Sequence, residues 1–210
     1  MWELIRAGNV MMIPLGLCSL VALTVFLERL YALRRSRILL PEVAGAVATL
    51  SAADDFAVAR AILARNPGPF ATVVGAGLDH ADHDWQIVRD VLQEAGRQES
   101  VRISRHLNIL EVVAAVAPLL GLLGTVTGMI RLFEDVKAVG LGDATLLSGG
   151  ISEAMITTAA GLIIGIPALV AYYWLQGRAD AIIFELERYA TQVLDTLRER
   201  RLRAAPRVGG

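Results

Sequence analysis

The 210-residue chain contains one cysteine, Cys18, and three histidines. A single cysteine cannot form an intrachain disulfide, which excludes a cross-linked secreted scaffold, and the cysteine pairs of zinc and redox motifs are missing as well. The formal net charge is only -1, so the chain lacks the bulk positive charge that nucleic-acid binding requires. Alternation of apolar and polar residues is too short to predict a sheet.

Apolar residues, in contrast, make up 55% of the chain and give a mean hydropathy of +0.53. This is too apolar for a soluble protein of this length. Residues 7–27, 112–130 and 154–177 form uncharged stretches of 21, 19 and 24 residues. Each can cross about 30 Å of hydrocarbon as a helix. The sequence therefore predicts an all-α membrane protein with three transmembrane helices.

The first apolar stretch could instead be a cleaved signal peptide. In a signal peptide the positive charges precede the apolar part, whereas here Arg29, Arg34, Arg35 and Arg37 follow it. The stretch is also too long for that role. We interpret it as a transmembrane helix.

Arginines also mark one end of each of the other predicted spans: Arg102 and Arg105 precede the second, and Arg178 and Arg188 follow the third. Basic residues accumulate on the cytoplasmic side, which predicts a membrane protein with an external N-terminus and a cytoplasmic C-terminus.

Six regions follow from this orientation. They are a periplasmic N-terminus with the first transmembrane helix (1–30), a cytoplasmic helical segment (31–108), the second transmembrane helix (109–135), a periplasmic loop (136–145), the third transmembrane helix (146–176), and a cytoplasmic C-terminal helix with a basic tail (177–210).

The segment 31–108 is helical by pattern. Ser51 is a candidate N-cap for a helix that ends at Asn66, before a proline- and glycine-rich turn, and a short helix is predicted from Phe70 to about Leu78. Asp84 is a candidate N-cap for a third helix. Because no proline follows before Pro118, we expect this helix to run unbroken into the second span.

The spacing of apolar residues in the tail helix predicts an apolar stripe on one side, which needs a partner helix to cover it. Its members are Ile182, Ile183, Leu186, Val193, Leu194 and Leu197.

The cluster of residues 79–84 contains His80 and His83 among carboxylates, a composition that can suit a divalent metal. No further cysteine or histidine lies nearby to complete a ligand set, so we interpret the cluster as a solvated turn with a helix cap. We expect no metal, no cofactor and no enzymatic activity.

Small residues recur on the second and third spans and predict close helix packing. They are Gly121, Gly124 and Gly128 on the second span and Gly161 and Gly165 on the third. The two spans run antiparallel about a loop centred near residue 141 or 142, so Thr125 and Thr158 are predicted to lie level, as are Pro118 and Pro167.

Glu153 is then level with Arg131. A carboxylate within a span is costly unless it is paired, protonated or hydrated, which makes Glu153 a candidate functional residue or the ion-pair partner of Arg131. At about 100° per residue, Thr157 shares the face of Glu153, whereas Thr158 is turned about 140° away. The polar groups therefore serve two different interfaces.

Two segments resemble the ExbB/TolQ branch of the MotA/TolQ/ExbB proton-channel family. Residues 117–130 read APLLGLLGTVTGMI, and residues 150–162 read GISEAMITTAAGL, followed by Ile166-Pro167-Ala168. The resemblance is dense over residues 107–173. Met155 stands where the family usually has leucine, and Tyr173 is not followed by the family's common asparagine.

The resemblance implies a homopentamer with long cytoplasmic helical extensions, whose second and third spans surround a central lumen. It implies an ExbD/TolR-like dimer in that lumen, each copy supplying an intramembrane aspartate, together with a TonB/TolA-like protein that spans the periplasm. It also implies that Thr125, Thr158 and Thr157 line the lumen and that Glu153 lies on the proton path.

The function implied is the use of proton-motive force to drive work at the outer membrane, with protons as the coupling ion. A flagellar-stator subunit of the MotA type is a weaker alternative, because that branch has four spans. A membrane scaffold without transport, in which Glu153 only pairs with Arg131, is another. A secondary transporter is disfavoured, since three spans leave little room for a substrate cavity.

Overall fold

The computed structural model describes residues 10–33, 56–139 and 144–204, and every regular element in these ranges is an α-helix. The helices are α1 (Met12–Ala32), α2 (Ala57–Arg65), α3 (Pro69–Asp79), α4 (Trp85–Ser104), α5 (Leu107–Val139) and α6 (Ala144–Ala204). Three segments are long and apolar enough to cross a membrane: Met12–Ala32, Trp85–Ala138 and Ser148–Arg203. The prediction of an all-α chain with three such helices is confirmed for the described residues.

The chain divides into two compact units. Unit 1 contains Met1–Leu30 and His106–Leu175, and therefore α1, α5 and the first part of α6. Unit 2 contains Tyr31–Arg105 and Gln176–Gly210, and therefore α2, α3, α4 and the rest of α6.

In unit 1, the three helices share an apolar cluster of small and medium side chains. Leu15 of α1 is buried together with Val113, Ala114 and Ala117 of α5 and Ala168 of α6. Many larger apolar side chains remain exposed in this unit. Such an outer surface is stable in lipid rather than in water.

Unit 2 is built differently, with a core of large apolar side chains. Leu78 of α3, Leu92 of α4 and Val193 of α6 are buried, and Phe70 meets Tyr189 edge to face at a centroid distance of 5.4 Å. The apolar stripe predicted for the tail helix is confirmed, since Leu186 and Leu197 are buried as well.

The turn between α2 and α3 lies where the sequence predicts it. α2 ends at Arg65, the backbone N–H of Asn66 donates to the Ile62 carbonyl oxygen at 3.2 Å, and α3 begins at Pro69. Asp84 occupies the N-cap position of α4 as predicted, but its side chain makes no capping hydrogen bond. Ser51 lies outside the described residues.

The expectation of one unbroken helix from Trp85 into the second span is wrong. α4 ends at Ser104 and α5 begins at Leu107, because His106 has a φ of 66° and so leaves the right-handed helical region. Its Nδ1 lies 3.5 Å from Glu28 Oε2 of α1. Neither glycine nor proline marks this break, so the sequence gives no signal for it.

α6 extends over 61 residues, with Pro167 inside it. A helix of this length reaches about 92 Å, three times the hydrocarbon thickness.

Candidate functional site

The interface between α5 and α6 is a contact of backbone against backbone. A methyl group at Gly161 would lie 2.6 Å from the Ala117 carbonyl oxygen, and one at Gly121 would lie 2.8 Å from the Thr157 carbonyl oxygen. No β-carbon fits at such distances, so these two helices meet this closely only because both positions are glycine.

The contact extends in both directions from this centre. At one end, a methyl group at Gly128 would lie 3.1 Å from the Ala154 β-carbon, and at the other, one at Gly165 would lie 2.7 Å from Pro118 Cγ. The glycines for which the sequence predicts close helix packing lie at these contacts. Pro167 is exposed and lies outside the contact.

Thr157 lies inside the interface and is 0% exposed. Its hydroxyl donates to the Ala154 carbonyl oxygen at 2.7 Å and lies 3.4 Å from the Gly121 carbonyl oxygen. A methyl group at Gly124 would lie 2.5 Å from the Thr157 hydroxyl oxygen. Thr157 thus fills the space that Gly124 leaves, and its polar atom is satisfied within the chain.

Thr158 and Thr125 form a second polar contact at the edge of the same interface. Their hydroxyl oxygens lie 3.3 Å apart, which confirms the prediction that the two residues are level. Thr158 also donates to the Gly121 carbonyl oxygen at 3.1 Å, and Thr125 donates to the Leu122 carbonyl oxygen at 2.6 Å. Both side chains remain partly exposed.

The separation of Thr157 from Thr158 confirms that one face does not carry all the polar groups. Neighbours in sequence, they point about 100° apart on α6, so one is enclosed by α5 while the other reaches the edge of the contact. Of these two threonines, only Thr158 can contact a group outside this chain.

Glu153 is half-buried on α6, one turn before Thr157. None of the hydrogen bonds or ion pairs among the described residues involves its carboxylate. Arg131 is exposed on α5 and has a partner of its own. The roles of Glu153 and Arg131 in a proton path or in an ion pair stay predictions.

Two further polar residues of α5, Thr127 and Glu111, have no role in the predictions from the sequence. Thr127 lies about 200° around α5 from Thr125, and its hydroxyl donates to the Leu123 carbonyl oxygen at 2.9 Å. Glu111 is an exposed carboxylate fourteen residues before Thr125. Counting in steps of seven along α5 would have drawn attention to Glu111.

The residues 79–84 do not assemble into a metal site within the described part of the chain, where no three potential ligands cluster. His80 Nδ1 lies 2.9 Å from the Ala76 carbonyl oxygen, and Arg60 pairs with Asp79 at 3.2 Å. These side chains stabilise the end of α3.

Comparison with known proteins gives a consistent result. Residues 65–188 match the model of the MotA/TolQ/ExbB proton channel family. The chain is 39% identical over 171 residues to biopolymer transport protein ExbB-like 1 of Synechocystis, a match that covers 79% of this chain and 66% of the relative.

Two further relatives come from other bacteria. Biopolymer transport protein exbB1 of Vibrio cholerae is 30% identical over 187 residues, which cover 83% of this chain and 78% of the relative. The Tol-Pal system protein TolQ of Pseudomonas aeruginosa is 30% identical over 105 residues, or 50% of this chain and 46% of that protein. The residues 65–188 that match the family model contain the glycine contacts between α5 and α6.

Proposed function

The chain belongs to the MotA/TolQ/ExbB proton channel family, in its ExbB/TolQ branch, and from this we propose that it is the channel subunit of a proton-driven motor in the bacterial inner membrane. In this proposal the N-terminus is periplasmic and the C-terminus is cytoplasmic. The motor uses proton-motive force for work at the outer membrane, such as transport or envelope maintenance.

The observation that supports this proposal best is the Thr125–Thr158 pair. Two hydroxyls from different helices lie 3.3 Å apart in an otherwise apolar region and remain partly exposed. Hydroxyls that face a pore hold water and guide ions through hydrogen bonds. In a homopentamer, five such pairs would form one polar ring around the lumen.

Glu153 supplies the titratable group of the proposed path. A half-buried carboxylate in a membrane span is expected to exchange protons or to pair with a cation. We assign it the exchange of protons between the outer side and the threonine ring. Thr157 fills the space beside Gly124, and in this proposal it holds α5 and α6 in register.

A partner completes the proposal. The proposed proton path needs an intramembrane aspartate, and within residues 107–130 and 154–177 the chain has none. In this proposal a dimer of the ExbD/TolR type, each copy of which spans the membrane once, supplies that aspartate inside the lumen. Proton transfer to and from that aspartate then turns the pentamer relative to the dimer. A TonB/TolA-like protein carries the motion across the periplasm.

Replacement of both threonines by valine tests the role of the hydroxyls. We expect Thr125→Val with Thr158→Val to abolish proton uptake by liposomes that contain the chain and an ExbD-type subunit, because the shape is nearly kept and the polar ring is lost. Thr127→Val is the matched control, since among the described residues its hydroxyl bonds only to its own helix. It should leave uptake unchanged.

Assembly is measured on the same samples by native mass spectrometry in detergent, where we expect pentamers for all variants. Loss of the pentamer in the double variant would show that the two hydroxyls are needed for assembly. Wild-type uptake by the double variant would contradict the proposed relay.

A further inference from the structure

Glu111 is the only charged residue between His106 and Arg131, and it directly precedes the uncharged stretch 112–130 of α5. Its side chain is exposed. None of the hydrogen bonds or ion pairs among the described residues involves its carboxylate. A charge in this position is costly in lipid and stable where it meets water or a proton path.

The helix geometry places Glu111 on the same flank of α5 as Thr125. Fourteen residues are about 40° short of four full turns, and they separate the two positions by about 21 Å along the axis. Pro118, midway between them, is half-buried on this flank. The line from Thr125 to Glu111 therefore follows the edge of the α5–α6 contact, where Pro118 lies beside Gly165.

The other side of α5 is occupied by the chain itself. Leu15 of α1 belongs to the apolar cluster that includes Val113 and Leu120. Val113 and Leu120 lie about 200° and 180° around the helix from Glu111. Glu111 is exposed and does not belong to this cluster, and Thr125 does not belong to it either.

From this placement we propose that Glu111 is the proton-release group at the cytoplasmic end of the lumen. The inference rests on the proposed function, in which the Thr125 flank lines the lumen and the start of α5 faces the cytoplasm. Five copies form a ring of carboxylates, an arrangement that favours cations in channels. Each carboxylate accepts a proton that leaves the lumen and passes it to water.

The helix N-terminus provides another explanation for a carboxylate one turn inside α5, because negative charge is favourable there. That explanation predicts a change in stability and no change in proton flux. It also predicts that added buffer has no effect. The experiment therefore measures proton flux and its response to added buffer, for which the two explanations predict different results.

Proton uptake is measured in liposomes that contain the full chain and an ExbD-type subunit. We expect Glu111→Gln to slow uptake about tenfold, less than the 10²- to 10⁴-fold contribution of a proton-transfer group in an enzyme, because water still carries some protons. Glu111→Asp should restore most of the rate. Glu134→Gln is the matched control, since Glu134 is exposed on α5 about 180° from Thr125, and it should have no effect.

A membrane-impermeant buffer on the release side should return Glu111→Gln toward the wild-type rate and leave the wild type unchanged. Uptake at the wild-type rate by Glu111→Gln, an equal loss in Glu134→Gln, or a loss that buffer does not relieve would each overturn this inference while the proposed function stands. A wild type that takes up no protons would overturn both.

Discussion

The two units hold their helices together by different means. In unit 1, α5 and α6 meet through glycine backbones, and the buried side chain at the centre is the hydroxyl-bearing Thr157. In unit 2, the contacts are between large apolar side chains such as Phe70, Leu92 and Leu186.

The difference follows from the solvent each unit is suited to. Lipid tails are as apolar as leucine, so burial of leucine against leucine gains little there, and close backbone packing with satisfied hydrogen bonds stabilises the contact instead. In water, removal of apolar area supplies about 25 cal/mol per Å². The same chain therefore contains one region typical of a membrane protein and one region with the core of a soluble protein.

The largest effect is expected from a large side chain in the glycine contact. Gly161→Leu should cost more than about 3 kcal/mol, since its β-carbon alone would meet the Ala117 carbonyl oxygen and backbone relieves overpacking poorly. Gly149→Leu is the control, because no atom of another described segment lies within 4 Å of a methyl group there. Folded yield after detergent extraction distinguishes the two, and equal yields would contradict the packing.

A cavity in unit 2 should have the next largest effect. Phe70→Ala removes a side chain that is 3% exposed and packs against Tyr189, and we expect a loss of about 3–5 kcal/mol. Denaturant unfolding followed by circular dichroism measures it. If unit 2 gains its stability from apolar burial, the exposed Val101→Ala should cost far less.

The same substitution in each unit gives the most direct contrast. Gly121→Ala places a methyl group 2.8 Å from a backbone oxygen, whereas Gly77→Ala places one 2.9 Å from the mobile end of Leu92. In α3, the gain in helix propensity of about 1 kcal/mol offsets the movement of Leu92. We expect Gly121→Ala to be clearly destabilising and Gly77→Ala nearly neutral in thermal unfolding, and the reverse order would refute the contrast.

The smallest effect concerns the break between α4 and α5. His106 holds a positive φ, which costs a residue with a side chain about 1 kcal/mol relative to glycine. His106→Gly should therefore be more stable than His106→Ala by about that amount. Equal melting temperatures would mean that the left-handed conformation is not retained.

The sequence predicts well what depends on length and regular geometry. The level of Thr125 and Thr158 follows from two antiparallel helices with the same rise per residue, and a 3.3 Å contact confirms it. The turn at Asn66 follows from its proline and glycine neighbours.

Features that depend on contacts with a neighbouring helix are not predicted from the sequence. Thr157 is enclosed, and Thr158 is not, because Thr157 faces the space that Gly124 leaves. The sequence does not reveal this choice, since small residues occupy several faces of α5. The break at His106 has no local signal either. Glu111 carries no motif, and from the sequence only its spacing of fourteen residues from Thr125 draws attention to it.

Proton uptake by Glu153→Gln, alone and combined with Arg131→Gln, tests the central claim most directly. If Glu153 carries protons, Glu153→Gln should assemble as a pentamer in liposomes with an ExbD-type subunit and take up no protons, because glutamine keeps the shape and cannot titrate. Adding Arg131→Gln should then restore nothing. Recovery of uptake in the double variant would show that Glu153 serves only to neutralise Arg131, and would contradict the proton path described above.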